Sequence, residues 1–61
     1  MNVLISMEEL SKLLDVKTSW IKSMVFKKQI PFIKLGKHVR FCPRQIQSWI
    51  EARKMEENSW N

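Results

Sequence analysis

One cysteine (Cys42), one histidine (His38), one glycine (Gly36) and no tyrosine occur in these 61 residues. A single thiol forms no intrachain disulfide, and one Cys with one His falls short of the four ligands of a structural zinc site. The staples that commonly support small domains are therefore excluded, and neither a metal nor a cofactor is expected. One glycine rules out a Gly-rich phosphate-cradling loop. No apolar run approaches the roughly 18 residues of a membrane span. Val3-Leu4-Ile5 is too short for a secretory core and lacks a basic flank. The expectation is a cytoplasmic protein with a reduced thiol, no membrane contact and no small-molecule ligand. Repeats, low-complexity stretches and linkers are also missing, which leaves one domain. A domain this small buries only about 60% of the surface its unfolded chain exposes. Three Trp, three Phe and the Leu, Ile and Val residues must supply the core.

Acids are missing from the middle of the chain. No Asp or Glu lies between Val16 and Ile50, where eight cations stand: Lys17, Lys22, Lys27, Lys28, Lys34, Lys37, Arg40 and Arg44. All six acids lie outside, as Glu8, Glu9, Asp15, Glu51, Glu56 and Glu57. Protein surfaces ordinarily intersperse both signs. This segregation, within a net charge of +5, points to a polyanionic partner. The plainer alternative is a solvated basic face.

Ser6-Met7-Glu8-Glu9 fits a capping box, with Ile5 before the cap and Leu10 inside positioned as a hydrophobic staple. Leu10, Leu13 and Leu14 follow as one helical stripe, and the helix is expected to end at Asp15, a residue type that tolerates left-handed geometry. A second helix is expected from Thr18 or Ser19 to about Lys27. It turns Ile21, Met24 and Val25 toward the first helix. Pro31 bars its continuation. From Phe32 to Phe41 the period changes to two, and Gly36 marks a hairpin. A two-residue turn at Gly36-Lys37 pairs Leu35 with His38 and mixes the two faces. A three-residue loop, Gly36-Lys37-His38, pairs Leu35 with Val39 and Ile33 with Phe41. It gathers four apolar residues on one face and puts Lys34 and Arg40 on the other. The three-residue loop is the expectation. Pro43 opens a last helix whose stripe is Ile46, Trp49 and Ile50, running to about Lys54 and fraying through Glu56, Glu57 and Asn58. Leu13, Leu14, Phe41, Ile46 and Trp49 are assigned to the core, and Cys42 to a partly buried position where the last helix begins.

The fold class is thus α+β, mostly α: a small winged helix-turn-helix, ordered helix, helix, β-hairpin, helix. It occupies residues 1–54, with 55–61 as a polar C-terminal tail. In such a layout the second helix enters the major groove. Lys17, Thr18, Ser19, Lys22, Ser23 and Lys27 then offer donors and hydroxyls to phosphates and base edges. The hairpin carries Lys34, Lys37, His38 and Arg40 to the neighbouring backbone or minor groove, and Arg44 completes the expected DNA-binding set. Glu8 and Glu9 are cap residues rather than an acid–base pair, so no catalytic residue is assigned and no enzyme is expected.

The segment Ile30-Pro31-Phe32-Ile33-Lys34-Leu35-Gly36, then Arg40-Phe41, then Ile46 and Trp49, resembles the excisionase-like helix-turn-helix family, related to the DNA-binding domains of MerR-type regulators. Ser6-Met7-Glu8-Glu9-Leu10 through Leu13-Leu14-Asp15-Val16 and Ile21 resembles that family's helix-turn-helix. The resemblance spans Leu4 to Ile50. It implies a bacterial or phage-encoded protein that binds duplex DNA sequence-specifically and is nucleoid-associated when bound. It further implies an excisionase, or recombination directionality factor, bending DNA beside an integrase, with further copies on adjacent sites. A small transcriptional regulator and, more distantly, a viral packaging component share the fold. The pattern departs from the family at four places. Asp15 stands where Gly is frequent in the inter-helix turn, Lys17 replaces a capping Ser, and Lys28 or Gln29 replaces a Gly before the wing. Trp20 stands where Thr is usual, either packing inside or presenting its indole to DNA.

The rival from another class is a protein-interaction adaptor that uses Trp20, Trp60 and the methionines as anchors, with the basic face merely solvated. Trp60 itself falls outside every apolar stripe, as a tail residue or a contact to a neighbouring protomer.

Overall fold

The structure, a computed structural model, describes residues 3–56. Helix α1 (Met7–Leu14) starts as its cap predicts: Glu9 N–H donates to Ser6 Oγ at 3.2 Å, and Ser6 N–H donates to Glu9 Oε1 at 2.9 Å. Both bonds satisfy amides that the first turn leaves without helical partners. Ile5 and Leu10 join the same apolar cluster. Asp15 takes left-handed angles (φ 57°, ψ 48°), and the Val16 amide closes on Ser11 O at 3.0 Å. A three-residue turn, Asp15-Val16-Lys17, then leads to α2 (Thr18–Phe26), with Val16 packed on the core.

Lys17 is the N-cap of α2 and offers no side-chain bond; the helix is held at this end by its carbonyl, which accepts from Trp20 N and Ile21 N. At the far end the chain makes both bonds of a Schellman motif. Gln29 N–H donates to Met24 O at 2.9 Å and Lys28 N–H to Val25 O at 3.0 Å. Lys28 sits at φ 57°, so this corner keeps the left-handed geometry although its side chain is not glycine.

Strands β1 (Ile33–Leu35) and β2 (His38–Arg40) pair antiparallel as Ile33 with Arg40, Lys34 with Val39 and Leu35 with His38. The loop is therefore the two-residue turn Gly36-Lys37, and the expected three-residue loop is corrected. Gly36 has φ 63° and Lys37 does not have positive φ, the pattern of a type II′ turn, whose twist matches that of the strands. A register change of one residue flips one strand relative to the other. Lys34 consequently shares a face with Val39, and Arg40 shares the opposite face with Ile33. The expectation failed because it required Phe41 to pair with Ile33. Phe41 instead bridges to Ile5, with both amide–carbonyl bonds at 2.9 Å, so the N-terminal segment lies along the end of β2. Val39 and Phe41 turn inward, and Leu35 stays 50% exposed.

Helix α3 (Pro43–Glu56) begins at Pro43 and extends two residues past the expected end. Cys42 is half-buried just before it. The core comprises Leu10, Ile21, Met24, Ile30, Phe41 and Ile46, with Leu14, Trp49 and Ile50 among the residues packed around it. Leu13 is a second correction, being 64% exposed. Met7, Leu10 and Leu14 form the buried line of α1. Leu13 lies about 60° off Leu10 toward the other flank, where none of the described elements covers it.

Candidate nucleic-acid interface

The inward line of α2 is Ile21 and Met24, both buried, with Val25 packed beside them. This anchorage fixes what the helix presents outward. At 100° per residue, Ser19, Lys22, Ser23 and Phe26 fall on the opposite side, and all four are exposed. Lys17, Thr18 and Lys27 are exposed at the helix ends. Trp20 lies to one flank and is 40% exposed. It presents part of its ring to solvent rather than filling the interior.

The wing is the second cluster. Lys34, Lys37 and His38 are exposed, while Arg40 is half-buried, its Nη1 donating to Val39 O at 2.9 Å. Lys37, His38 and Arg40 line a shallow groove whose other wall is Ser6, Met7 and Glu8 from the start of α1. Glu8 thus stands beside the wing cations, a neighbour that sequence distance concealed. Arg44 is exposed on the first turn of α3 and lines a separate groove with Pro31, Gln45, Ser48 and Trp49. No hydrogen bond among the described residues joins α2 to the wing. The two are positioned through the core and through Trp49, whose indole Nε1 donates to Gln29 O at 3.0 Å. That bond ties α3 to the corner between α2 and the wing.

Every expected DNA-binding residue is therefore at the surface, and Arg40 is the least free of them. Phe26 is the residue that sequence reasoning missed: 88% exposed on the outward side of α2. Its signal was available, since position 26 is three and four residues on from Ser23 and Lys22 and off the Ile21–Met24 stripe. The adaptor reading loses two of its anchors, because Met24 is buried and Met7 packs on the core. Trp60 lies outside the described residues. Among those described, no group of His, Cys, Asp and Glu is arranged to hold a metal ion. No helix among them is long and apolar enough to cross a membrane.

Two helices joined by a three-residue turn, followed by a hairpin and a closing helix, define a winged helix-turn-helix protein. The sequence profile of the helix-turn-helix domain matches residues 4–54. The chain belongs to that family, and DNA is the partner class that membership supports. No curated protein and no solved structure gives a significant match.

Proposed function

We propose that the protein binds double-stranded DNA sequence-specifically, with α2 in the major groove and the wing on the adjacent backbone or minor groove. The observation that carries this reading is the acid-free stretch between Val16 and Ile50. That stretch contains the whole of α2 and both wing strands. Lys17, Lys22, Lys27, Lys34, Lys37 and Arg44, together with His38 and Arg40, form the set from which about four to six simultaneous phosphate contacts are drawn. Thr18, Ser19 and Ser23 offer hydroxyls to phosphates or base edges. The role is architectural, that of an excisionase-like factor that bends DNA beside an integrase. A single module of this size buries about 600–1,000 Å², so specificity is completed by further copies on adjacent sites or by the integrase.

The test is an NMR titration of labelled protein with random-sequence duplex at two salt concentrations. Amides in 17–28 and 34–44 shift together, and neutralising about four to six phosphates gives a log K against log salt slope of roughly −4 to −5. Absence of shifts at low salt refutes DNA binding. End-to-end energy transfer on a bound duplex then reads bending. A duplex that stays straight removes the architectural role and leaves the binding reading intact.

A further inference from the structure

Among the described residues Phe26 is the most exposed of the large apolar side chains, at 88%, and it lies outside their core cluster. Seven residues separate it from Ser19, which places the two within about 20° of one another around the α2 axis and roughly 10 Å apart along it. Lys22 and Ser23 lie between them. The outward row of α2 thus runs Ser19, Lys22, Ser23, Phe26, and Lys27 and Lys28 follow it, all exposed. A protein-docking patch wants contiguous apolar area. Here one phenyl ring stands among hydroxyls and ammonium groups, in a stretch with no acid.

A surface that combines cations, hydroxyls and a single apolar contact matches the edge pattern of the major groove. There the thymine C5-methyl is the apolar group among hydrogen-bonding atoms, and phenylalanine is one of the side chains that meet it. A row of roughly 10 Å spans about three base-pair steps. We infer that Phe26 is a specificity-determining residue, its ring packing on a thymine methyl about three base pairs from the step reached by Ser19. The inference rests on the DNA-binding reading and adds to it the base that the far end of α2 selects.

The experiment selects duplexes from a randomised library with the full-length protein and with Phe26→Ala. It then replaces each thymine of the wild-type consensus by uracil, which removes only the methyl. Wild-type binding falls about fourfold at one thymine position, the worth of one buried methyl. Phe26→Ala binds the thymine and uracil duplexes equally, selects that position without preference and keeps the salt dependence of wild type. Its melting temperature stays within about 4 °C of wild type, as expected for an exposed surface site. Retained, salt-dependent DNA binding with no position at which uracil matters, or with the same uracil effect in Phe26→Ala, overturns the inference alone. Unchanged selection with lost self-association or cooperativity also overturns it, and assigns the ring to a second copy of the chain. Failure of wild type to bind any duplex overturns both readings.

Discussion

Trp49 and Gln29 are joined across 20 positions of sequence by a 3.0 Å hydrogen bond from the indole Nε1 to a backbone carbonyl. Gln29 is also the residue whose amide closes the Schellman motif of α2 on Met24 O. One peptide segment therefore receives a bond from α3 and gives one to α2, so that α3 braces the corner from which the wing departs. Arg53 adds a cation–π contact, its guanidinium 5.1 Å from the Trp49 ring centre.

Replacing Trp49 by Phe keeps an aromatic ring and deletes the donor. The Gln29 carbonyl is accessible enough to find water, so the lost bond itself accounts for about 0.5–1.5 kcal/mol, and the packing that the smaller ring gives up against the core adds to it. In a domain of this size loss of the bond alone lowers the melting temperature by roughly 2–12 °C. Amide shifts in a two-dimensional NMR spectrum should concentrate at 28–31 and around position 49. A melting point equal to wild type would show that the bond contributes nothing to the brace.

Lys28 holds left-handed angles without being glycine. For an L-residue that geometry costs roughly 1–2 kcal/mol, and glycine recovers it less its own entropy loss of about 0.5–1 kcal/mol on folding. Lys28→Gly is therefore expected to raise stability by roughly 0.5–1 kcal/mol, and Lys28→Val to lower it. Denaturant unfolding with an unchanged m-value is the measurement. A glycine variant less stable than wild type would mean that the lysine side chain, not the turn geometry, holds this corner.

These two sites also show what was legible in the sequence. The capping box, the Asp15 stop, the α2 core stripe and the Pro43 start are local rules, each settled within four residues, and the structure agrees with them. The hairpin register was not local. It depended on Phe41 bridging to Ile5, a pairing between segments that alternation within 32–41 does not reveal. Leu13 failed for a related reason: spacing defines a stripe, but whether both flanks of that stripe are covered depends on how many elements the fold has. The cations that the fold leaves exposed on α2 and the wing were legible as a charge pattern. The position of Glu8 beside the wing was not, because it depends on how the start of α1 packs against β2.

Glu8 shares the wing groove with Lys37, His38 and Arg40. On the DNA-binding reading a carboxylate there repels the approaching backbone. Glu8→Gln is expected to raise affinity for random duplex about two- to fivefold at low salt, an advantage that fades as salt screens the charge. It also weakens the favourable charge at the α1 N-terminus by about 0.3–1 kcal/mol. Glu51→Gln on α3, which removes the same charge outside this groove, is the control. Fluorescence anisotropy at two salt concentrations compares them. Equal gains from both variants would reduce the effect to net charge and remove any special role for the groove.

Gly36 opens the two-residue turn at φ 63°, and a Cβ built on it meets no heavy atom within 4 Å. The glycine is therefore required by backbone geometry rather than by space. Gly36→Ala should cost about 1–3 kcal/mol, because the first central position of a type II′ turn lies in a positive-φ region that alanine rarely adopts, and Gly36→Asn less, since asparagine is among the residues such turns accept. The wing carries Lys37 and His38 beside this turn, so the alanine variant should lose DNA affinity as well as stability. Asparagine should restore much of both. The register supplies an independent readout: cross-strand NOEs between the 34 and 39 backbone positions persist in the asparagine variant and weaken in the alanine one. If alanine is tolerated without loss, the turn has an alternative of equal energy. The longer Gly36-Lys37-His38 loop, which pairs Leu35 with Val39, would then be the first alternative to seek in its NOE pattern.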